Sequence, residues 1–409
     1  MPAPELAQVP PIGSPGFFSD PYHTYRALLD SGARTVRLSP HIVAVTHYRD
    51  CLDILRDPRF SARRFTRQIG HFTEEQKCEI TAWIRAAENM MFFMDAPSHT
   101  RVRTLLLRAF SPETLAAVQP RIRSLFLDIL DGLPAGVEID FMRQVAHRFP
   151  ALVIGEILGV PRDNWKRLME WSDIFIEFFT TFQGSFDLAL RANRAVIEML
   201  DYLRDLTGHK RSNPGDDVLS MMLASEEDGD KLSNDELLAQ GMLLLVAGHE
   251  TTRNLIGNGL LTLLRHPEEM ERLRREPALI RGAIEEILRF EGPIQGTNRV
   301  AAEDVELYGE KIGAGQSLLT LMGCANRDPQ QFPDPDRFDP ARKNNAHLDF
   351  GAGAHTCLGL HLARIEAQIA FAALLERYPR IELRETEPQW GHTLTLRGLK
   401  RLNVVLHEN

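Results

Sequence analysis

The chain has 409 residues, 44% hydrophobic and 25% charged, which is the composition of a globular protein with a sizeable apolar core. Its formal net charge of -9 argues against binding to nucleic acid or to an anionic membrane surface. No stretch has the apolar length of a signal peptide or a membrane span, so we expect a cytoplasmic protein. The four cysteines include no Cys-x-x-Cys pair and predict neither a disulfide framework nor a zinc ribbon.

No linker, repeat or low-complexity tract divides the chain, and we predict a single domain over residues 1–409 with an irregular segment over 1–20. A short helix is predicted over 22–31. Residues 35–45 then alternate like two strands joined at the Ser39-Pro40 turn. Helical patterns continue to about residue 211, and they cover 49–56, 100–110, 112–132, 145–158, 165–181 and 188–207.

The longest predicted helix covers 233–264. Ser233 and Glu236 form a capping box at its start, and His266-Pro267 ends it. Roughly thirty helical residues span about 45 Å, enough to cross a whole domain. Further along, the sequence predicts a helix over 277–289, short strands at 299–301, 305–307 and 317–322, a helix over 358–377 and a β-type tail over 402–406. The fold class is therefore mainly α with small peripheral β-sheets.

The segment from Phe350 to Gly359 carries a cysteine in a glycine-rich loop. Two glycines ahead of Cys357 permit a tight turn and a close approach to a flat partner. Cys357 precedes the predicted helix 358–377, whose N-terminal amides favour a thiolate. Gly359 leaves room for something broad against the first turn. A thiolate on a rigid loop with an open face suits a metal that needs one strong axial donor.

The pattern Phe-Gly-x-Gly-x-His-x-Cys-x-Gly resembles the heme-binding signature of the cytochrome P-450 superfamily, and every fixed position is present. The resemblance covers essentially the whole chain. It implies the P-450 fold, with the long helix crossing a heme b group whose iron takes Cys357 as axial ligand. The other loop residues implied in heme binding are Phe350, Gly351, His355 and Gly359. The competing interpretation, zinc held by His347, His355, Cys357 and His361, lacks a second cysteine and normal zinc-site spacing.

Glu250 and Thr251 lie halfway along the predicted long helix, in an otherwise apolar stretch. Polar groups there are costly unless they are hydrogen-bonded, and Gly248 weakens the helix enough to admit water. The segment is similar to the acid–alcohol motif of the same superfamily. That similarity implies that Thr251 holds a water molecule and that Glu250 relays protons from solvent for cleavage of the O–O bond.

The resemblance also implies a structural cluster and a set of cations for the heme propionates. Glu286 and Arg289 are three residues apart on one helix face, and the family pairs such residues with an arginine, here Arg337, to pin the loop behind the heme. Propionates bind fixed cations. The residues at the matching positions are His99, Arg103, Arg299 and His355.

The resemblance implies a reaction that inserts one oxygen atom from O2 into a substrate by hydroxylation or epoxidation. Candidate pocket residues, by family position, are Phe92, Phe93, Phe178, Phe179, Leu243, Ala247, Ile294, Gln295, Leu394 and Leu396. They are mostly apolar and predict a largely apolar substrate such as a secondary metabolite, terpene, steroid or fatty acid. We expect a monomer that receives electrons from a separate iron–sulfur ferredoxin and its NAD(P)H-dependent reductase.

Basic residues that follow or flank the predicted heme-binding segments are candidates for docking an acidic ferredoxin. They are Arg101, Arg103, Arg108, Arg342, Lys343 and Arg364. Two alternative functions stay open. A peroxide-driven peroxygenase typically lacks the acid–alcohol pair, which is intact here. A heme-based sensor needs an output domain, and the sequence shows none.

Overall fold

The computed structural model describes residues 9–181, 184–225, 230–384 and 387–408. Helices dominate this part of the chain. In chain order the α-helices are α1 Pro15–Ser19, α2 Pro21–Asp30, α3 Tyr48–Arg56, α4 Phe65–Gln68, α5 Glu74–Glu79, α6 Thr81–Asn89, α7 Ser98–Leu107, α8 Pro112–Asp131, α9 Arg148–Ile157, α10 Trp165–Thr180, α11 Phe186–Ser212, α12 Val218–Ala224, α13 Asn234–Arg265, α14 Pro267–Arg275, α15 Ile280–Glu291, α16 Met322–Ala325 and α17 Leu360–Arg377.

The strands are short and form three small sheets. They are β1 Thr35–Ser39, β2 Ile42–Val45, β3 Phe60–Ser61, β4 Glu138–Asp140, β5 Thr297–Ala301, β6 Val305–Leu307, β7 Glu310–Ile312, β8 Ser317–Thr320, β9 Arg380–Leu383 and β10 Asn403–His407. The sheet orders are β1-β2-β8-β5-β3, β4-β10-β9 and β6-β7. The predicted fold class, mainly α with small β-sheets, is confirmed.

The five-stranded sheet joins distant parts of the chain. Its β1 and β2 form the predicted antiparallel pair across the Ser39–Ile42 turn. On its other side β2 pairs in parallel with β8, with Ile42 opposite Ser317, and β8 pairs antiparallel with β5. Because β2 and β8 are nearly fully buried, the sheet forms part of an apolar core with α3.

The chain packs as two compact units, each built from separated segments. Unit 1 contains Met1–Ser61, Phe126–His147 and Thr251–Asn409, and unit 2 contains Ala62–Leu125 and Arg148–Glu250. All the strands named above belong to unit 1, whereas the described part of unit 2 is helical. The prediction of one domain over residues 1–409 stays a prediction. Among the described helices, none is long and apolar enough to cross a lipid bilayer.

The longest helix, α13, begins and ends almost where the sequence places it. The Ser233 hydroxyl accepts a hydrogen bond from the Glu236 N–H (3.2 Å), and the Ser233 N–H donates to the Glu236 carboxylate (2.9 Å). The predicted capping box is therefore confirmed. The helix ends at Arg265, one residue beyond the predicted end and directly before His266-Pro267.

Other boundaries differ from the predictions. The segment predicted as irregular contains α1, because Ser14 caps that helix by accepting from the Phe17 N–H and Pro15 occupies its first position. The helices α4, α5, α6, α12, α14 and α16 were not predicted, since their apolar repeats are too short to stand out. The strand predicted over 317–322 ends at Thr320, and its last predicted residue, Met322, begins α16. The helix after the cysteine begins at Leu360 rather than 358, with Gly359 as its N-cap.

Candidate active site

Cys357 lies at the end of a tight turn in unit 1, the cysteine turn, which we define as residues 350–357. The Cys357 N–H donates to the Phe350 carbonyl (2.9 Å), and the Gly351 N–H donates to the Leu348 carbonyl (2.7 Å). Gly351 has φ +68°, in the left-handed region that favours glycine. The thiol is half-buried. The backbone therefore fixes the cysteine in a half-buried position.

The two sides of this loop differ in how closely they are packed. A side chain at Gly353 would bring a Cβ within 2.8 Å of the Leu55 carbonyl oxygen at the end of α3, so only glycine fits there. A Cβ at Gly359 would meet nothing within 4 Å. Because α17 begins directly after Gly359, the positive end of that helix lies beside the cysteine and favours a thiolate.

The structure distributes the predicted heme-contact residues over both units. Unit 1 carries Thr251 on α13, Arg299 on β5 and His355 in a short 3-10 turn of the cysteine turn. The buried Arg299 guanidinium donates to the Asn298 carbonyl (3.0 Å). Unit 2 carries His99 and Arg103 on α7 and Glu250 on α13, and the His99 and Glu250 side chains are buried.

The middle of α13 contains an exposed residue. Ala247 is exposed, although Val246 and His249 on either side of it are buried. Thr251, one turn further on, is half-buried. An exposed residue at the centre of an otherwise buried helix borders open space, and this is the stretch in which the acid–alcohol pattern was found.

Glu286 and Arg289 form a fully buried ion pair on α15, with both side chains 0% exposed. Arg289 donates to the two carboxylate oxygens at 2.8 and 2.7 Å. Its remaining N–H groups donate to the backbone carbonyls of Asn326, Pro335 and Arg337. The pair therefore fixes the irregular segment that leads to the cysteine turn.

The arginine that reaches Glu286 from this segment is Arg342, which corrects the assignment of Arg337. The Arg342 Nε lies 3.0 Å from both Glu286 oxygens, and its Nη groups donate to the carbonyls of Pro333 and Asp334. Arg337 sits in a turn closed by its own N–H and the Asp334 carbonyl, so that its carbonyl faces Arg289 while its side chain is exposed.

Sequence reasoning missed a second acid on the same helix. The Glu285 carboxylate accepts two hydrogen bonds from Arg364, both 2.7 Å, and lies 3.2 Å from the Nε2 of His347. Partial burial raises the pKa of Glu285, but the bonds from His347 and Arg364 outweigh it and lower the pKa to about 2. The sequence signal for this second acid is the adjacent pair Glu285-Glu286, because successive residues on a helix face different neighbours.

The zinc interpretation fails on geometry. In the described part of the chain, no three of His347, His355, Cys357 and His361 bring donor atoms within 4.8 Å of one another. The two ring nitrogens of His347 are also engaged, one with Glu285 and the other with the Asp349 N–H. The cysteine turn thus offers a single sulfur donor, an open side at Gly359 and a favourable helix terminus, which fits heme.

In unit 2, three of the predicted pocket residues form an aromatic cluster with rings in edge contact. Phe92 lies 5.1 Å from Phe93 and 5.6 Å from Phe179, measured between ring centroids. Phe92 is 36% exposed, and the Arg64 guanidinium lies 4.0 Å from its ring centroid. This cluster is a half-open apolar surface.

Other predicted pocket residues have different surroundings. Phe178 is fully buried against the Trp83 ring (5.0 Å), so it belongs to the packed core of unit 2 and borders no open space. In unit 1, the Gln295 amide accepts from the Tyr25 hydroxyl (3.1 Å) and donates to the Gly292 carbonyl. The remaining candidates are buried or half-buried apolar residues: Leu243, Ile294, Leu394 and Leu396.

Comparisons with known proteins agree with this geometry. Residues 154–391 match the family model of cytochrome P450. The chain is 38% identical over 397 residues to the P-450 monooxygenase PikC of Streptomyces venezuelae, covering 95% of this chain and 91% of PikC. It has the same identity over 397 residues to the vitamin D(3) 25-hydroxylase of Pseudonocardia autotrophica, covering 95% and 94%. The crystal structure of P450BioI in complex with hexadec-9Z-enoic acid ligated acyl carrier protein has a TM-score of 0.88 at 35% identity and covers 96% of this chain and 99% of that one.

The chain therefore belongs to the cytochrome P-450 family, and its fold is the fold of that family. It is a P-450 monooxygenase with heme as cofactor. The predicted resemblance, enzyme class and cofactor are confirmed.

Proposed function

We propose that this enzyme binds heme b through the Cys357 thiolate and inserts one oxygen atom from O2 into a largely apolar organic substrate, by hydroxylation or epoxidation. The observation that carries the proposal is the cysteine turn, which holds one half-buried sulfur beside a helix terminus and an open face. When bound, the heme supplies O2 activation, which no side chain of the chain can perform. The chain would supply the Cys357 sulfur that binds the iron and the protein surroundings of the heme.

Arg299 and His355 would hold the propionates of the heme, and the family positions of His99 and Arg103 support the same role for these two residues. Charge-assisted hydrogen bonds to carboxylates are about twice as strong as neutral ones. Burial of Arg299 and His99 supports this assignment, since fixed donors on rigid elements lose little entropy when they bind an anion.

Thr251 and Glu250 would deliver protons. A half-buried hydroxyl in the middle of α13 can hold a water molecule by hydrogen bonding, and the buried carboxyl of Glu250 beside it would relay protons from solvent. The exposure of Ala247, one turn before Thr251, supports open space on this stretch of the helix. The intact acid–alcohol pair favours this role over that of a peroxide-driven enzyme.

For the substrate we propose a long apolar molecule, with a fatty acyl chain as the first candidate. The rings of Phe92 and Phe179, packed against the buried ring of Phe93, offer a half-open surface that suits a hydrocarbon chain. The solved relative P450BioI holds a hexadecenoic acid linked to acyl carrier protein, and it covers nearly the whole of this chain. A terpene, a steroid or another secondary metabolite would compete for the same surface.

Electrons would come from a separate ferredoxin and its NAD(P)H-dependent reductase, and the enzyme would act as a monomer. Three of the basic residues that the sequence predicts for docking a ferredoxin form ion pairs within the protein. Arg342 is bound to Glu286, Arg364 to Glu285, and Arg101 forms an ion pair with Glu236. Lys343 is exposed and remains a candidate for contact with an acidic partner, and the predicted docking roles of Arg103 and Arg108 stay predictions.

The test of the ligand assignment is the spectrum of the reduced CO complex. Wild-type protein should show the strongly red-shifted Soret band of a thiolate-bound heme, and Cys357→His should abolish that band even where heme is retained. Cys324→Ser is the matched control, because Cys324 is a fully buried thiol in unit 1 outside the cysteine turn. Wild-type protein that binds heme without the red-shifted band would contradict the proposal.

A further inference from the structure

Phe350 contacts both Cys357 and the side chains around the cysteine turn. Its carbonyl accepts the Cys357 N–H at 2.9 Å. Its ring lies against two charged or polar groups: the Arg364 guanidinium carbon is 4.6 Å from the ring centroid, and the His347 ring centroid is 5.6 Å away at an interplanar angle of 48°. A shift of the Phe350 backbone would therefore disturb these ring contacts and the hydrogen bond to Cys357 together.

Glu285 binds the two side chains that contact the Phe350 ring, those of Arg364 and His347. Its two oxygens each accept one bond from Arg364, in the parallel geometry that makes arginine–carboxylate pairs directional. One of these oxygens also lies 3.2 Å from the His347 Nε2. We call Glu285, His347 and Arg364 the Glu285 cluster. The His347 side chain is 3% exposed, and those of Glu285 and Arg364 are 28% exposed.

The hydrogen bonds also fix the orientation of the His347 ring. Its Nδ1 accepts from the Asp349 N–H at 3.2 Å, so the ring proton that remains available is on Nε2 and faces Glu285. The adjacent backbone is held from two further sides. The Leu348 N–H donates to the Asn326 side chain (2.8 Å), and the Asp349 carboxyl accepts from the Ile294 N–H (3.1 Å). The Glu285 cluster thus connects α15, α17 and the entry to the cysteine turn.

We infer that Glu285, His347 and Arg364 are positioning residues that keep the cysteine turn in the conformation in which Cys357 ligates the heme iron. They act on Cys357 through the ring and carbonyl of Phe350. The inference rests on the proposed role of Cys357. It also assigns a role to Arg364 other than docking a ferredoxin, because the Arg364 charge is neutralised by Glu285.

The low pKa of Glu285, about 2, agrees with this role, because the carboxylate stays ionised at any pH at which the enzyme works. Loss of the Glu285 charge should weaken its hydrogen bonds to His347 and to Arg364 together. The cysteine turn would then relax more often to a form in which the sulfur is no longer a thiolate ligand.

The test uses the heme-loaded full-length enzyme. In Glu285→Gln, the red-shifted band of the reduced CO complex should decay about fivefold faster than in wild type, the factor expected for loss of one half-exposed charged pair. The heme midpoint potential, measured by spectroelectrochemical titration, should shift as well. Arg364→Lys keeps the charge but loses the paired bonds, and it should change both quantities in the same direction by a smaller amount.

The matched control is Glu382→Gln on β9. Glu382 also binds arginine and histidine, with Arg384 at 2.6 Å, Arg380 at 3.2 Å and His407 at 3.4 Å, and its side chain is 30% exposed. Because Glu382 lies in the three-stranded sheet, Glu382→Gln should leave the decay of the CO band and the midpoint potential unchanged.

The inference is overturned if the decay of the CO band and the midpoint potential of Glu285→Gln and Arg364→Lys match those of wild type and Glu382→Gln. If the free energy of unfolding of these two variants is lowered while decay and potential are unchanged, the cluster is a stabilising contact only. A wild-type enzyme without the red-shifted band would refute the ligand role of Cys357 instead, and this inference would fall with it.

Discussion

Two adjacent glutamates on α15 meet the same types of partner in different surroundings. Glu286 is 0% exposed and accepts hydrogen bonds from Arg289, Arg342, the Asn345 amide and the Asp339 N–H. Glu285 is 28% exposed and accepts from Arg364 and His347. The first carboxylate has every partner supplied by protein, whereas water can still reach the second.

Burial determines how much the loss of a charged partner costs, because only a group that water can reach is able to replace that partner with solvent. Removing one member of a buried pair leaves an uncompensated charge that cannot be solvated, at a cost of about 3–5 kcal/mol. A half-exposed pair loses less because water replaces the missing partner, and exposed pairs contribute about 0–1 kcal/mol. We therefore expect Glu286 to determine whether the fold forms, and Glu285 to adjust the cysteine turn within a formed fold.

The largest expected effect is that of Glu286→Gln. The amide cannot balance the two buried guanidinium groups of Arg289 and Arg342, so the free energy of unfolding should fall by about 3–5 kcal/mol in urea titrations. Glu285→Gln, one position earlier, is the control and should cost about 1–2 kcal/mol. Equal losses for the two variants would show that burial does not separate them.

The next-largest effect distinguishes Arg342 from Arg337, two arginines in the irregular segment before the cysteine turn. Arg342→Ala removes bonds to Glu286 and to the carbonyls of Pro333 and Asp334, and should destabilise the protein by about 2–3 kcal/mol. Arg337→Ala removes an exposed side chain and should change stability by no more than about 0.5 kcal/mol. Thermal and urea unfolding of the pair measures the difference, and the reverse order would restore Arg337 as the partner of Glu286.

The smallest effect is the pH dependence due to Glu285. Its pKa in the folded protein is lowered from 4.5 to about 2, so its contribution is present above pH 4.5 and is lost as the pH falls towards 2. The difference in unfolding free energy between wild type and Glu285→Gln, about 1–2 kcal/mol near neutral pH, should therefore shrink over this interval. A difference that stays constant down to pH 2 would contradict an ionised Glu285 in the folded state.

Features set by neighbours in sequence were predictable. The capping box at Ser233 and Glu236 acts within one helical turn, and its position could be recognised without tertiary information. The Ser39-Pro40 turn likewise predicted the β1–β2 pair. The family motif placed Cys357 in its loop because glycine positions with positive φ are fixed by local backbone geometry.

Features that depend on distant partners were not predictable. Arg337 and Arg342 are both arginines in one irregular segment. The turn at Asp334, with φ +47°, holds Arg337, whereas the side chain of Arg342 reaches Glu286. Phe178 and Phe179 are neighbours on α10, yet the first packs against Trp83 and the second lies in the half-open aromatic cluster. Successive residues on a helix face different directions, and the sequence does not tell which direction is open.

The parallel pairing of β2 with β8 has a consequence for biosynthesis. The partners Ile42 and Ser317 are separated by about 275 residues, so the hairpin of β1 and β2 leaves the ribosome long before its neighbour exists. At roughly 5–20 residues per second, the free edge of β2 waits about 14–55 s for β8. An unpaired strand edge is a template for association with other chains. Nascent chains and truncated fragments that end before Ser317 should therefore depend on chaperones to a degree that the finished protein does not.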